Sequence, residues 1–428
     1  MTRPEEPPKR RQRSSIRPYI PATILTPLVG ASLGVDGGPI FQILAIENLG
    51  LSATAIGIAF GLGVASLPIQ LYASRIPIER ARRNVQIFLA LAALQAWLLA
   101  LLVGIGATGG FAAIALGVTI TAEISVSVLY ATAWQPLLAS GVGTHGRQQL
   151  NSTWRAIAHG VLAGALVLFT ALGTGGRSLF LIAIGALAIA TAIGLNAIDP
   201  PSPAQSDSAK SATSTGSTKS GTALAPATRV VLVVFAAINI GAIPLWLVYL
   251  NKVLWPTANL GVIAAVQTVA SMSALLTWKS TAGDVTRRAL VAAGVTLAAA
   301  ISIAALDGPV GSGVQQAIVV GATAAMAGGA TTARIAMLEA THRVVTPANT
   351  VRAFTLLDVV ASTSLQAGLL ISGFLITASA DFQTSLTDPY RAFVLISTAG
   401  IVPAILWFRN TSARTETSNS AGLPGPQT

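Results

Sequence analysis

The chain has 428 residues, of which 53% are apolar and only 10% charged; its mean hydropathy is +0.69 and its net charge +11. A soluble domain carries about 25% charged residues, so this composition excludes an ordinary water-soluble globule. The basic excess is not the footprint of a nucleic-acid binder, because the positive residues sit in alternate short loops.

With no cysteine there is no disulfide, thiolate metal site or cysteine nucleophile. His145, His159 and His342 are the only histidines, so no metal site is expected, and no other cofactor either.

Residues 1–18 hold the basic run Lys9-Arg10-Arg11 and read as a disordered cytoplasmic tail without the cleavage site of a signal peptide. Crossing a hydrocarbon core takes about 20 apolar residues of helix. Twelve stretches qualify, at roughly 20–46, 53–74, 85–106, 111–138, 149–172, 178–198, 229–250, 258–278, 289–306, 313–341, 350–377 and 391–408. Prolines inside them, at 27, 39, 68, 136, 244 and 403, are tolerated where neighbouring groups re-satisfy the freed carbonyls. Spans 1–6 make an N-terminal half, 19–198, and spans 7–12 a C-terminal half, 229–409. Between them, 199–228 is too polar and too rich in Ser, Thr, Gly and Pro to bury a core, and reads as a flexible linker. Residues 410–428 read as a second disordered polar tail. The expected fold class is an all-α integral membrane protein of twelve transmembrane helices in two pseudo-symmetric six-helix bundles.

The two halves repeat at a spacing of 205 residues. Arg82-Arg83 falls on Arg287-Arg288, Pro39 on Pro244, Ala65-Ser66 on Ala270-Ser271 and Arg147 on Arg352. After a nine-residue insertion, the stretch beginning at Arg177 aligns with that beginning at Arg391. Alanine and leucine matches come free in so biased a chain; the arginine and proline matches carry the signal. Lysine and arginine in the loops divide 21 to one side and 3 to the other. That bias makes the first side cytoplasmic, with both termini on it.

Six plus six spans, a long central linker and basic clusters after spans 2 and 8 resemble the major facilitator superfamily over residues 19–409. That family's loop motif between spans 2 and 3 is a glycine followed by Asp-Arg-x-Gly-Arg-Arg. Here Ile78-Glu79-Arg80-Ala81-Arg82-Arg83 is one residue short and has Glu for Asp, while Gly283-Asp284-Val285-Thr286-Arg287-Arg288 keeps the glycine, the acid and the basic pair. The chain departs from the family's drug–proton antiporters in two places. Span 4 has Glu123 and no arginine, and in span 5 Gly164 is followed by Ala165 where they have proline. The subfamily is therefore unresolved. The resemblance implies a monomer, a central cavity lined by spans 1 and 4, and a latching role for the loop residues Glu79, Arg80, Arg82, Arg83, Asp284, Arg287 and Arg288; these are also the simplest topology signals.

A charge near the bilayer centre costs about 2.5–3.5 kcal/mol and is rare unless it pairs, meets water or works. Asp36, in Gly34-Val35-Asp36-Gly37-Gly38-Pro39, reads as a protonation site or counter-charge, or as an acid satisfying backbone groups at a helix break. Glu123, among Thr119, Thr121, Ser125 and Ser127, reads as a proton-coupling acid in a wet setting. His159 suits a proton relay or a neutral bond to a neighbouring helix. Arg155 pairs with an acid or reaches to the interface. Arg334, Glu339 and Asp358 together read mainly as an inner gate or charge lock. Trp246, beside Pro244, is a candidate to stack on a cargo.

No Gly-x-x-x-x-Gly-Lys-[Ser/Thr] stretch, Gly-x-Ser-x-Gly elbow or His-Glu-x-x-His pair occurs, so no enzyme is expected and energy must come from an ion gradient. The expected function is proton-coupled efflux of a small lipophilic or cationic organic molecule across a bacterial cytoplasmic membrane, with the lipid bilayer, protons and the cargo as partners and no nucleic acid. The alternative is proton-coupled uptake of a metabolite or sugar, and a non-transporting membrane enzyme or sensor stands further off.

Overall fold

A computed structural model of the chain describes residues 16–33, 38–69, 80–142, 146, 149–198, 226–241, 245–278, 284–344, 350–380 and 388–420. Among them every regular element is helical. The α-helices in chain order are α1 (Ile20–Leu33), α2 (Pro39–Ile43), α3 (Ala53–Gly61), α4 (Ala81–Gly104), α5 (Gly109–Gly141), α6 (Arg155–Ala171) and α7 (Thr174–Gly194), then α8 (Pro226–Ile240), α9 (Trp246–Tyr249), α10 (Leu260–Trp278), α11 (Val285–Ala304), α12 (Gly313–Val344), α13 (Thr350–Ser379) and α14 (Pro389–Ser420). Seven of the described helices are long and apolar enough to cross a membrane. Large apolar side chains stand exposed on their outer faces, Ile396, Val314, Ile114, Leu179 and Phe111 among them. A bilayer covers such a surface; water would not tolerate it.

Within the described residues the helices match the twelve sequence-expected spans, with three differences. Spans 1 and 7 are each divided, into α1 and α2 and into α8 and α9. Helix α14 runs on to Ser420, through the first part of the segment read as a polar tail. Of the segment 199–228 read as a linker, 199–225 lies outside the described residues, and 226–228 form the first turn of α8.

The divided spans repeat one another. After α2 the chain makes a π-turn at Leu44–Asn48, and after α9 another at Leu250–Leu254. Each closes with the same long-range backbone bond, Leu49 N–H to Leu44 O and Trp255 N–H to Leu250 O. Proline at Pro39 explains the break in span 1, since its nitrogen cannot donate to the previous turn. In span 7 the break ends at Leu245, whose φ of 58° is left-handed.

The connections 49–52, 105–108, 172–173, 255–259 and 305–312 gather with Ser379 and Asp388 at one end of the bundle, here the distal end; the start of α1 and the end of α14 lie at the other, the proximal end. At the distal end each half is pinned by a buried arginine at the start of its last span. Arg177 of α7 pairs with Glu47 at 2.7 Å and Asn48 Oδ1 at 2.7 Å, and donates to Phe169 O while lying 5.1 Å over the Phe169 ring. Arg391 of α14 pairs with Asp388 at 3.3 Å and donates to the Tyr249 hydroxyl at 2.6 Å and to Leu306 O. Asp388 also accepts from the Tyr249 and Ser379 hydroxyls and from the backbone of Tyr390 and Arg391. The sequence repeat of Arg177 and Arg391 is thus a structural repeat, each arginine tying the distal tip of the first span to the last.

Two hydrophobic clusters form the core. The larger runs through the N-terminal half and takes in residues 245–254, α10 and the distal parts of α11 to α14. The smaller belongs to the proximal part of the C-terminal half and holds residues 227–238 of α8 with α11, α12, Leu357 and α14.

Candidate functional site

The two halves meet along two seams. In the first, α3 lies against α13. It is close because neither helix has a side chain at the crossing: a Cβ on Gly57 would stand 2.8 Å from the Gly373 Cα. One turn toward the distal end, the Thr54 and Thr377 hydroxyls are 2.7 Å apart. Toward the proximal end, Gly61 meets Leu370, and Gly63 receives Gln366 of α13 together with Ile124 of α5. Small residues at this spacing let helices approach to backbone contact in a membrane. In the second seam α6 runs beside α10. Gly261 accommodates Thr170 near the distal end, and Gly160 faces Met272 further down. The contact continues to the π-turn Leu150–Trp154. At the distal end α2 also touches α9 and α10, so the interior is shut there.

Toward the proximal end each half exposes an arginine on an interior face. On α6, Leu162 and Leu166 are buried, whereas Arg155, eleven residues before Leu166 and so three turns away on the same face, is exposed. The bilayer-facing side of this helix is the opposite one, carrying Ile157, Val161 and Leu168. On α12 the pattern repeats. Thr323 is fully buried and accepts from the Trp246 indole N–H at 3.0 Å, while Arg334, eleven residues on, is exposed. Val314, on the far side of α12 from both, is 71% exposed. On α6 and on α12 an exposed arginine thus lies three turns from a buried residue of the same face, and on α12 that face is buried again at Thr341.

The sequence-expected residues distribute around this interior. Glu123 sits mid-way along α5 and is 2% exposed. Beside it, Ile124 packs on Gly63 and on the seam. His159 is half-buried, one turn from Arg155 and within its electrostatic reach. Arg155 also acts on Tyr130 of α5, whose hydroxyl is 3.1 Å from that of Thr26 on α1. Tyr130 stacks on Trp134 at 5.6 Å and packs against Phe88 at 4.9 Å. Trp246 is 3% exposed, bonded to Thr323 and stacked on Tyr249 at 5.7 Å, which makes it part of the distal packing. Glu339 and Asp358 are half-buried on α12 and α13. Of the loop residues, Arg82 donates to Ile198 O at 2.8 Å, Asp284 caps α11 through Thr286 N, Arg80, Arg83 and Arg287 are exposed, and Arg288 is half-buried. Asp36 and Glu79 lie outside the described residues.

Sequence reasoning missed the seam residues Thr54, Gly57, Thr377 and Gly373, and the Thr26–Tyr130 pair. The Gly57-xxx-Gly61 spacing was a visible signal for the first; a lone tyrosine in span 4 offered none for the second.

No protein-family model matches the sequence, and no curated protein matches it. Solved structures do. The chain is similar to the nucleoside transporter NupG, with 14% identity, 92% of this chain and 98% of that one covered and a TM-score of 0.56. It is similar to a bacterial homologue of the iron transporter ferroportin in an outward-facing state, with 16% identity, 92% and 99% covered and a TM-score of 0.55. It is also similar to the human organic anion transporter MFSD10, with 13% identity, 92% and 96% covered and a TM-score of 0.56. At such identities the likeness is one of fold.

Proposed function

We propose that this chain, which has the fold of major facilitator-type transporters, is a proton-coupled secondary transporter moving a small organic molecule by alternating access. The observation that supports the reading is the arrangement of two like halves along two seams, with Arg155 of α6 and Arg334 of α12 exposed on the faces that are buried at Leu166 and Thr323. Rocking two like halves about a midplane site exchanges which end is open. The 21-to-3 division of lysine and arginine supports a cytoplasmic proximal end in a bacterial membrane, with both termini there.

Glu123 is the coupling acid in this reading: a carboxyl in mid-span, next to a residue of the moving seam. Its environment changes when α3 and α13 part, and that is what lets a proton load on one side and leave on the other. Two directions of transport remain. Export of a lipophilic cation needs a carboxylate within reach of the cargo, and Glu123 and Asp36 are the candidates. Co-transport of a metabolite with protons needs accessible polar or cationic groups, and the exposed Arg155 and Arg334 favour this second reading.

Reconstituted full-length protein with an imposed proton gradient tests the proposal. A panel of cationic, neutral and anionic compounds is added to proteoliposomes carrying a pH dye, with Glu123→Gln and Asp36→Asn in parallel. Compound-dependent proton movement in wild type that is lost in Glu123→Gln supports coupling through that acid. Coupling that survives in both variants removes these acids from the mechanism, and a panel that is never translocated removes the transport reading.

A further inference from the structure

We infer that the cargo carries an anionic group, a carboxylate or phosphate, and that Arg155 and Arg334 receive it from opposite halves at the proximal mouth of the interior. The inference rests on the transport reading and names the chemistry of its cargo.

Three observations converge. First, both arginines lie on interior faces. The helix positions of Leu166 and Thr323, each three turns from its arginine, show where those faces point, and both are buried in the closed end. Each arginine is exposed on the side of its helix opposite exposed apolar residues, Ile157, Val161 and Leu168 on α6 and Val314 on α12, where a charge meets water more readily than lipid.

Second, the two are neighbours in the bundle. Helix α10 lies beside α6 and beside α12. At one level Gly160 meets Met272, and Ser271, next to Met272, meets Thr331 at 3.0 Å. Arg155 is five residues from Gly160, and Arg334 three from Thr331. With adjacent helices about 8–10 Å apart, α6 and α12 are no more than about 20 Å apart across α10. The two long side chains narrow that span to a gap suited to a small organic anion.

Third, the surroundings favour an anion. Among the described residues Arg334 makes no hydrogen bond or ion pair. Among the described residues the acids nearest in depth are buried or half-buried: Glu123 at 2% exposure, Glu339 and Asp358 partly covered. Within electrostatic reach of Arg155 stands His159, whose ring N–H can donate to an oxyanion. A guanidinium fork offers two parallel donors to a carboxylate or phosphate, a geometry an ammonium lacks.

The charge fits the coupling. A protonated Glu123 removes a like charge from the neighbourhood of an anion, so proton and anion bind cooperatively and travel in the same direction. A cation would be displaced by the same proton.

The test uses purified full-length protein in detergent and in proteoliposomes. Binding is read as the shift in thermal unfolding on adding benzoate, citrate or glucose 6-phosphate, against tetraphenylphosphonium and uridine. At least one anion is expected to bind, with affinity falling at least about ten-fold in Arg155→Gln and in Arg334→Gln. The lysine variants should keep part of that affinity, which a merely structural role would not require. Unliganded melting of each variant separates a folding defect from a lost contact. Anion binding indifferent to both glutamine variants overturns the inference, as does binding of the cation or uridine alone, or of none of the five. If anions bind with the expected arginine dependence yet no compound crosses the proteoliposome membrane, the anion site stands and the transport reading falls.

Discussion

Gly57 and Gly373 meet with no side chain between them: a Cβ on Gly373 would stand 2.7 Å from the Gly57 Cα and 2.6 Å from the Ala53 carbonyl oxygen. Backbone occupies that space and cannot swing aside as a flexible side chain can. Gly373→Val is therefore expected to hold the distal ends of α3 and α13 apart. Transport should fall more than about ten-fold, while the folded yield in detergent stays near wild type because both helices keep their other packing. Gly400 of α14, with no atom within 4 Å of its Cβ position, is the control. Its valine variant should transport normally, and equal damage from both changes would break the link to the seam.

Thr54 and Thr377 allow the same seam to be locked. Their hydroxyl oxygens are 2.7 Å apart, and the natural chain has no cysteine, so Thr54→Cys with Thr377→Cys places the only two thiols within bonding reach. Oxidation should produce a reducible intramolecular cross-link and stop transport, and reductant should restore it. Cross-linking that leaves transport intact would show that this end never opens.

Arg155 and Arg334 make accessibility measurable. In inside-out vesicles Arg155→Cys and Arg334→Cys should react with a membrane-impermeant thiol reagent, whereas a cysteine at Leu166 or Thr323, on the same faces but buried, should not. Adding an anion that binds should slow labelling at 155 and 334. Labelling of all four positions at like rates would mean that the closed end is not closed.

The two arginine pins differ in how much they leave behind when removed. Arg391 and Asp388 are 5% and 4% exposed at their side chains, whereas Glu47, the partner of Arg177, is 35% exposed. Breaking a buried pair by deleting one member costs about 3–5 kcal/mol, because the other charge is stranded. Arg391→Leu should thus destabilise by about that much. Arg177→Leu should cost less, roughly 1–3 kcal/mol, since water can reach Glu47 once its partner is gone. Thermal unfolding in a mild detergent compares them, and Arg177→Leu proving the more damaging would reverse the argument.

Leu245 sets two effects against each other. Its φ of 58° costs about 1–2 kcal/mol for a residue with a Cβ, which glycine would relieve. Its side chain is fully buried in the larger cluster, and truncating a buried leucine costs about 2–5 kcal/mol. The second effect is larger, so Leu245→Gly should lower the melting temperature. A rise would show that the strain, not the packing, governs the bend.

Much of this architecture was legible because a bilayer simplifies the rules. Long apolar runs bounded by arginine and proline fix the spans within a few residues, and the Arg177–Arg391 correspondence survived as a shared structural joint. The break in span 1 was readable at Pro39 and the glycines before it. The candidate site was harder to read. Charge inside a span marks a residue as unusual without saying which way it points, so Trp246, read as a cargo platform, lies in the distal packing against Thr323 and Tyr249. Arg155, read as pairing with an acid or reaching to the interface, and Arg334, read with Glu339 and Asp358 mainly as an inner gate or lock, are both exposed. The seam itself depends on which glycines face the other half, and facing is a property of the assembled bundle.

The division of span 7 between two hydrophobic clusters reaches beyond transport. Residues 227–238 share their core with α11, α12 and α14, whereas 245–254 share theirs with the N-terminal half. A single span thus belongs to two cooperative units, and local opening of one need not disturb the other. Amide hydrogens of α8 should then exchange in step with the proximal parts of α11 and α14, and those of α9 in step with α2 and α10, so that a change of rate class partway along one span marks a boundary between folding units inside a continuous domain.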